Sequence, residues 1–353
     1  MSEYNILKLG DTKIWNEYLR NLPINQQDIY FTPEYYNLYE NLGDGIANCF
    51  VYKENENIAL YPFLKSEINA LGYSLDRIYY DIQGVYGYNG IIASIYDSLF
   101  IKNFYYAFSD FCLLSNIVSE FSRFHPILKN HEFSRNNLNI CFNRNTVYVD
   151  LEKPIELIIQ EFTSSNNRAI RKAEKIGLTV KVYVKDYPYK DNFQIMYKKT
   201  MDRVNSIDYL YFNSEYFNSL FEFPELCQFV CFYENRPIAS TVCFSKGIYF
   251  HYHLGASESE FLNLRPNNLL FFEMIKFAKR NNFKFLHFGG GNTSDPDDPL
   301  LHYKSNFSKN IADFYIGTKI YNEGIYNNIV SQWEKKFPEK KEKYKNFILK
   351  YHF

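Results

Sequence analysis

The sequence lacks several features that would place it at once in a large functional class. Its formal net charge is −1 and it contains no long block of one sign, so it lacks the electrostatic footprint of a protein that binds duplex DNA. No apolar run approaches the length of a membrane span, and the first residues lack the basic start and apolar core of a signal peptide. We therefore expect a cytoplasmic protein that has no membrane span and does not bind DNA.

Metal and redox motifs are absent from the sequence as well. None of the six cysteines forms a C-x-x-C pair, which disfavours a zinc knuckle or a redox centre, and four of them lie in apolar, strand-like runs. His251, His253 and His287 could share neighbouring strands, but no carboxylate or thiolate accompanies them at ligand spacing. We expect reduced core thiols, core or cleft histidines, and no metal site.

Aromatic residues are abundant, with 33 Tyr and 33 Phe among 353 residues. Two interpretations stay open: a coding bias that also enriches Asn, Ile and Lys, or aromatic clefts that stack on sugars or bases. With 46% apolar residues the chain is globular, and its length allows two domains of ordinary size.

A two-part segment occurs twice in the chain. Tyr30–Asn37 reappears as Tyr211–Asn218, and Glu54–Ala59 reappears at nearly the same offset as Glu234–Ala239. In each copy an aromatic-rich helical segment precedes two apolar strands around a polar turn. A repeat this long is not a solenoid period, so it predicts two copies of one domain fold.

Apolar patterning predicts the elements of each copy. In the second copy we expect a three-stranded meander, a crossover helix and a further strand, at Gln228–Tyr233, Pro237–Phe244, Ile248–Gly255, Asn268–Arg280 and Phe283–Phe288. This order makes a mixed sheet with one helical crossover. The first copy and the C-terminus add two strands and two helices, at Cys49–Tyr52, Ile58–Leu64, Ser98–Glu120 and Asn327–Tyr351. We divide the chain into domains of residues 1–149 and 150–353, the second including the C-terminal helix.

A meander followed by a crossover helix and a strand resembles the core of the GNAT acyltransferase superfamily. Two such units in tandem resemble the Fem-type (FemAB-like) peptidoglycan aminoacyltransferases and their acetyltransferase-domain relatives. Six weak motifs in order carry this closer resemblance, namely Tyr80–Tyr88, Arg123–Pro126, Asn167–Gly177, Thr200–Arg203, His251–Gly255 and Leu301–Phe307. The resemblance implies an α/β (α+β) fold of two GNAT-like domains, each a mixed, mostly antiparallel sheet flanked by helices. It also implies a degenerate first domain on the acceptor side and a second domain on the donor and catalytic side.

The resemblance implies catalytic roles for Lys304 and Asp81. Lys304 follows Tyr303 in an aromatic-Lys pair that lies near the reaction centre of Fem-type enzymes, where a cation could stabilise the oxyanion formed when an amine attacks an ester or thioester. Asp81 precedes a glycine-rich loop and could accept a proton from the attacking ammonium or hold a hydroxyl of the acceptor. The ordinary alternatives are a surface lysine on a strand and an aspartate that starts a turn.

Two groups of residues are candidates for substrate binding, together with Tyr303. Arg203 matches a family position that contacts the phosphate of the acceptor, although an exposed helix arginine would look the same. Arg168, Arg171 and Lys172 share one helical face and could contact polyphosphate or tRNA, or simply face solvent.

The donor site is expected at the start of the crossover helix. GNAT enzymes hold the pyrophosphate of coenzyme A there on backbone amides, and the corresponding stretch here contains Arg265, Asn267 and Asn268 but lacks the glycines of the pattern. Either asparagine could instead be an N-cap. The missing glycines weaken acyl-CoA as the donor and leave room for aminoacyl-tRNA, and we expect either only as a co-substrate, with no tightly bound cofactor.

The resemblance therefore implies amide formation, in which an amine attacks an activated acyl or aminoacyl ester in a site between the two halves. The expected acceptor is a lipid- or nucleotide-linked envelope precursor, such as a peptidoglycan precursor or an amino sugar of a surface glycan. tRNA is a candidate partner as the donor, and peripheral contact with a membrane is compatible with this acceptor. The alternative is a non-catalytic module that binds a nucleotide sugar or RNA on a decayed tandem fold.

Overall fold

The computed structural model describes residues 2–353, which form two compact units. The first unit contains the chain up to Asn143 together with Phe314–Phe353, and the second contains Arg144–Asp313. This grouping differs from a division at residue 149, because the C-terminal segment packs within the first unit. Trp333 and Ile329 are fully buried there in an apolar cluster with Ile68 and Val118.

Up to residue 150 the elements are β1 (Ser2–Leu7), α1 (Thr12–Arg20), α2 (Pro33–Glu40), β2 (Ile46–Glu54), β3 (Asn57–Glu67), β4 (Tyr80–Gln83), β5 (Ile92–Ala93), α3 (Ser98–Leu114), β6 (Ile117–Arg123) and β7 (Asn139–Asp150). The middle of the chain forms α4 (Ile155–Gln160), α5 (Ser164–Lys175), β8 (Thr179–Tyr183), α6 (Lys190–Arg203), α7 (Ser214–Leu220), β9 (Leu226–Tyr233), β10 (Arg236–Lys246), β11 (Tyr249–Ser257), α8 (Pro266–Arg280), β12 (Phe285–Gly290) and α9 (Pro299–Ser305). The last elements are β13 (Asn310–Ile320), α10 (Glu323–Lys336) and α11 (Lys341–Tyr344). Short 3₁₀ turns connect many of these elements.

The two units have the same sheet topology. In the first unit the strand order is β1-β2-β3-β4-β6-β13, with β5 paired to β3, and in the second it is β8-β9-β10-β11-β12-β7. Each sheet is antiparallel except for one pair, β4 with β6 and β11 with β12, which a crossover helix joins in parallel. The predicted fold class, two tandem GNAT-like domains with mostly antiparallel mixed sheets, is confirmed.

The repeated sequence segments occupy equivalent places in the two units. Thr32 caps α2 by accepting a hydrogen bond from the Tyr35 amide, and Asn213 caps α7 by accepting one from the Tyr216 amide. The second repeated segment forms the tight turn between β2 and β3 and between β9 and β10, with the loop shifted by one residue. The duplication read from the sequence is therefore present in the fold.

Two predicted helices are wrong in extent. The helix predicted over Ser98–Glu120 ends at Leu114, because Asn116 adopts a left-handed conformation (φ 55°) and the chain continues as β6. The single C-terminal helix is interrupted at Phe337, which has a non-helical backbone (φ −135°, ψ 61°) and precedes Pro338. Within residues 2–353, none of the helices is both long enough and apolar enough to cross a bilayer.

Candidate active site in the second compact unit

The crossover helix of the second unit, α8, begins without a side-chain cap. Arg265 occupies the N-cap position in the left-handed region (φ 68°, ψ 40°), and Pro266 is the first helical residue. Because the first N–H groups of a helix lack intrahelical partners and the helix dipole is positive at that end, this terminus attracts anions. Asn267 and Asn268 lie inside the helix, so the alternative interpretation of either as the N-cap is wrong.

A cavity of about 440 Å³ opens beside this helix start. It brings together five of the residues predicted for donor or substrate binding, namely Arg168, Lys172, Arg265, Asn268 and Tyr303. Ser165, Asn166, Ala169 and Asn306 complete its lining. The predicted Arg171 is exposed on the same helix, α5, but does not line the cavity.

The charged side chains that line the cavity are all cationic. Arg168 and Lys172 lie one turn apart on α5, and Arg265 contributes a third cation from the start of α8. Among the described residues, the lining of this cavity includes no Asp or Glu. Three cations beside an uncapped helix N-terminus make a site for a polyanion.

Asparagine side chains connect the elements around the cavity. Asn268 Nδ2 donates to Asn166 Oδ1 at 2.9 Å, and Asn166 Nδ2 donates to the Asn306 carbonyl oxygen at 3.1 Å. These bonds tie α8, α5 and the end of α9 together. Neither Asn166 nor Asn306 was predicted from the sequence. The one signal for Asn166 was its position, a polar residue four places before Ile170 on the buried face of α5.

Tyr303 places a buried hydroxyl at the cavity. Its ring packs edge-on against Phe271 at 5.3 Å and Phe307 at 5.7 Å. Within residues 2–353 the hydroxyl has no hydrogen-bond partner. Burial raises the pKa of Tyr303 well above its ordinary value, so the hydroxyl keeps its proton and can donate to a ligand oxygen.

Lys304, the next residue, is a buried cation on a helix. Its side chain lies on α9 with 5% of the residue exposed, so the alternative of a surface lysine on a strand is wrong. Nζ donates to the Gly290 carbonyl oxygen at 2.6 Å and lies 5.5 Å from the centre of the Tyr252 ring. Burial lowers the pKa of Lys304 to about 7, against the opposing effect of the Asp298 carboxylate. Both protonation states are therefore populated near neutral pH.

Asp298 fixes the helix that carries Lys304. Its Oδ1 accepts hydrogen bonds from the amides of Leu300 and Leu301, at 2.9 and 3.1 Å, and its Oδ2 accepts from the Thr293 amide at 2.9 Å. Although burial opposes it, these bonds hold the pKa of Asp298 below its usual range. Asp298 is thus the N-cap of α9, and no role was predicted for it from the sequence.

Arg203 and Asn267 lie near each other but do not line the cavity. The Arg203 guanidinium, at the end of α6, donates to the Ser257 carbonyl oxygen at 2.8 Å and to the Ser259 hydroxyl at 2.9 Å. Asn267 Nδ2 lies 3.5 Å from the Ser257 hydroxyl. Arg203 is exposed, so its remaining donor capacity faces solvent.

Asp81 belongs to the first unit, where it is buried within β4. Its position inside a strand excludes the alternative of a turn starter. His352 Nε2 lies 2.7 Å from Asp81 Oδ2, and although burial opposes it, this hydrogen bond and the negative charge raise the pKa of His352. Asp81 therefore holds the C-terminal residues in the first unit, and its catalytic role stays a prediction.

The three histidines considered in the sequence analysis belong to the second unit. His251, His253 and His287 are all buried. His253 Nε2 lies 2.8 Å from the Tyr216 hydroxyl, and burial lowers the pKa of His253 to about 3.

Comparison with known proteins agrees with this fold. Residues 164–305, which carry the cavity and Lys304, match the family model described as an acetyltransferase (GNAT) domain. A search of curated proteins found no match to this sequence. The family match and the similar folds support an acyltransferase.

Solved structures similar to this chain include FemX, at 14% identity with a TM-score of 0.67, where the match covers 92% of this chain and 99% of FemX. A tandem GNAT protein from the clavulanic acid biosynthesis pathway matches at 7% identity and a TM-score of 0.51, covering 91% of this chain and 99% of that one. The C-terminal domain of a protein named as a lysylphosphatidylglycerol synthetase from Agrobacterium fabrum matches at 10% identity and a TM-score of 0.57, covering 93% and 96%. The predicted resemblance to tandem GNAT and Fem-type proteins is confirmed.

Proposed function

We propose that the second unit transfers an acyl or aminoacyl group from a phosphate-bearing donor to an amine, forming an amide. The observation that carries this proposal is the cavity at the start of α8, where Arg168, Lys172 and Arg265 meet beside the buried Tyr303 hydroxyl. Both candidate donors, acyl-CoA and aminoacyl-tRNA, carry phosphates, and a cationic cavity can bind the phosphate-bearing part of either molecule.

In the proposed reaction the amine nitrogen of the acceptor attacks the donor carbonyl. A carbon–nitrogen bond forms, the ester or thioester bond breaks, and the amine loses a proton, while the leaving oxygen or sulfur gains one and departs as a hydroxyl or thiol. Neutral Lys304 can accept that proton, and protonated Lys304 can stabilise the oxyanion, because its pKa of about 7 makes both forms available. Positioning of the two substrates supplies the remainder of the rate enhancement.

The proposed acceptor is an amine on a cell-envelope precursor, such as a peptidoglycan precursor or an amino sugar of a surface glycan. Arg203 supports a phosphate-bearing acceptor, since its guanidinium is already held by Ser257 and Ser259 and needs little ordering before it contacts an anion. FemX and the lysylphosphatidylglycerol synthetase domain share the fold, and their names are compatible with aminoacyl transfer.

The cavity is tested by replacing Arg168 with alanine and measuring the affinity for acyl-CoA and for aminoacyl-tRNA at several salt concentrations. We expect Arg168→Ala to weaken binding of the true donor about tenfold and to reduce the salt dependence by about one ion, because one phosphate contact is lost. The other donor should bind weakly to parent and variant alike.

Arg171→Ala is the matched control, because Arg171 is exposed on the same helix but outside the cavity. An equal loss of donor affinity in both variants would mean that the cations of α5 act only through their general positive charge and not through contacts in the cavity. Tight donor binding without any transfer to an amine would instead favour the non-catalytic module.

A further inference from the structure

Helix α3 of the first unit leaves one face in solvent. The opposite face packs into the core through Phe100, Phe104 and Phe108. The exposed face is a stripe, which we call the α3 stripe, made of Leu99, Lys102, Tyr106, Asp110 and Leu113. Its apolar members are large and open to solvent, with Leu99 61%, Tyr106 60% and Leu113 54% exposed.

The α3 stripe is symmetric about Tyr106. A leucine lies seven residues away on each side, at positions 99 and 113, and opposite charges lie four residues away, at positions 102 and 110. Two such helices packed antiparallel across a two-fold axis at Tyr106 would place Lys102 against Asp110 twice and Leu99 against Leu113 twice. This self-complementarity is what an isologous contact requires.

The two charges of the stripe are available for such a contact. Within residues 2–353, neither Lys102 nor Asp110 forms an ion pair. Lys102 Nζ lies over the ring of Tyr106, 5.5 Å from its centre. Beyond the two ends of the stripe, Tyr96 and Leu114 are 70% and 80% exposed and extend the apolar surface.

We propose that the α3 stripe docks on the α3 stripe of a second copy of this chain, giving a two-fold symmetric dimer. Opposite charges then face each other only in the antiparallel arrangement, since a parallel one would place Lys102 against Lys102 and Asp110 against Asp110. The charges fix the orientation and register of the pair, and burial of Tyr106 and the leucines supplies the affinity.

Sedimentation velocity of the full chain over a range of concentrations tests this dimer. We expect reversible association to twice the protomer mass. Lys102→Asp and Asp110→Lys should each weaken association about tenfold or more, because either change makes both charge contacts repulsive. The double variant K102D/D110K should restore it, and an equimolar mixture of the two single variants should form a heterodimer.

Lys13→Asp is the matched control, a charge reversal at an exposed lysine of α1 in the same unit, and should leave association unchanged. A parent protein that stays monomeric at every concentration would overturn the proposal. So would single reversals without effect, or a double variant that stays as weak as the singles. Binding to phosphatidylglycerol vesicles that Tyr106→Ser abolishes, without any self-association, would assign the stripe to a membrane instead.

Discussion

The two units share one topology but differ at the start of the crossover helix. In the first unit Asp97 caps α3, and its Oδ1 accepts a hydrogen bond from the Phe100 amide at 2.8 Å. In the second unit Arg265 stands at the equivalent position of α8, with no side-chain cap. The positive end of α3 is thus occupied by the chain's own carboxylate, whereas that of α8 stays open to an external anion.

This difference favours the proposal of a donor site in one unit of the duplicated fold and not in the other. The Asp97 carboxylate accepts a hydrogen bond from an amide at the start of α3 and repels phosphate, so this helix terminus is unsuited to an anionic ligand. In the second unit Arg265 stands at the same place in the left-handed conformation, and its side chain does not cap the helix. Arg168 and Lys172 of α5 line the same cavity. We infer that donor chemistry belongs to the second unit alone.

The largest effect is expected from Lys304→Met, which removes the buried charge of the second unit while roughly keeping its volume. If Lys304 acts on the reacting groups, single-turnover transfer should fall about a hundredfold or more with donor affinity nearly unchanged. Thermal unfolding measured alongside separates a structural role, which would lower the melting temperature together with activity. Full turnover in this variant would show that Lys304 has no catalytic role.

The pH dependence of stability should carry the signature of the same lysine. Because its pKa is about 7 in the folded protein and near 10.5 when unfolded, the unfolded chain binds more protons between these values. The free energy of unfolding should therefore rise with pH from about 7 towards 10, by at most about 1.4 kcal/mol per pH unit from this group. Denaturant unfolding near pH 7 and pH 9 measures it, and Lys304→Met should lack this part of the rise.

Arg265→Asp would make the start of α8 resemble that of α3. An acidic side chain there interacts favourably with the helix dipole but repels an anionic donor. We expect donor affinity to fall about tenfold or more with unfolding free energy kept or slightly increased. Donor affinity equal to that of the parent would show that the helix terminus is not where the anion binds.

Asp97→Ala tests the same comparison in the first unit, by removing the N-cap of α3. Loss of the cap should cost about 1 kcal/mol of stability, measured by denaturant unfolding, because the Phe100 amide loses its acceptor. Transfer activity should be unaltered. A gain of donor binding at this opened terminus would contradict the assignment of donor chemistry to the second unit.

Much of the fold could be predicted because its signals are local. The meander and the crossover helix follow from apolar patterning and turn residues, and the predicted Asn268–Arg280 differs from α8 only at its first residues. The end of α3 could not be placed, because the apolar pattern runs through Asn116 into β6 and only the left-handed backbone there separates helix from strand.

The residues of the candidate site were predicted from the family resemblance and from the basic face of α5, whereas the contacts that hold the site together were not predicted. The side chains that hold the site together are far apart in sequence: Asn166 contacts Asn268 and the Asn306 backbone, and Lys304 contacts the Gly290 carbonyl. No spacing rule predicts such contacts. The burial that lowers the pKa of Lys304 is likewise a property of packing, and the sequence alone allowed a surface lysine equally well.

The first unit is built from two separate stretches of the chain, and this has a consequence for folding during synthesis on the ribosome. Most of its sixth strand, β13, and the helix α10, which contains the buried Trp333, follow the second unit in the chain. Until they emerge, β6 has a free edge, and Ile68 and Val118 lack their apolar partners. The second unit, though later in the chain, can therefore complete its fold first, reversing the usual vectorial order in which the N-terminal domain folds ahead of the rest. A chain that lacks residues 314–353 would therefore contain every residue of the second unit but only part of the first.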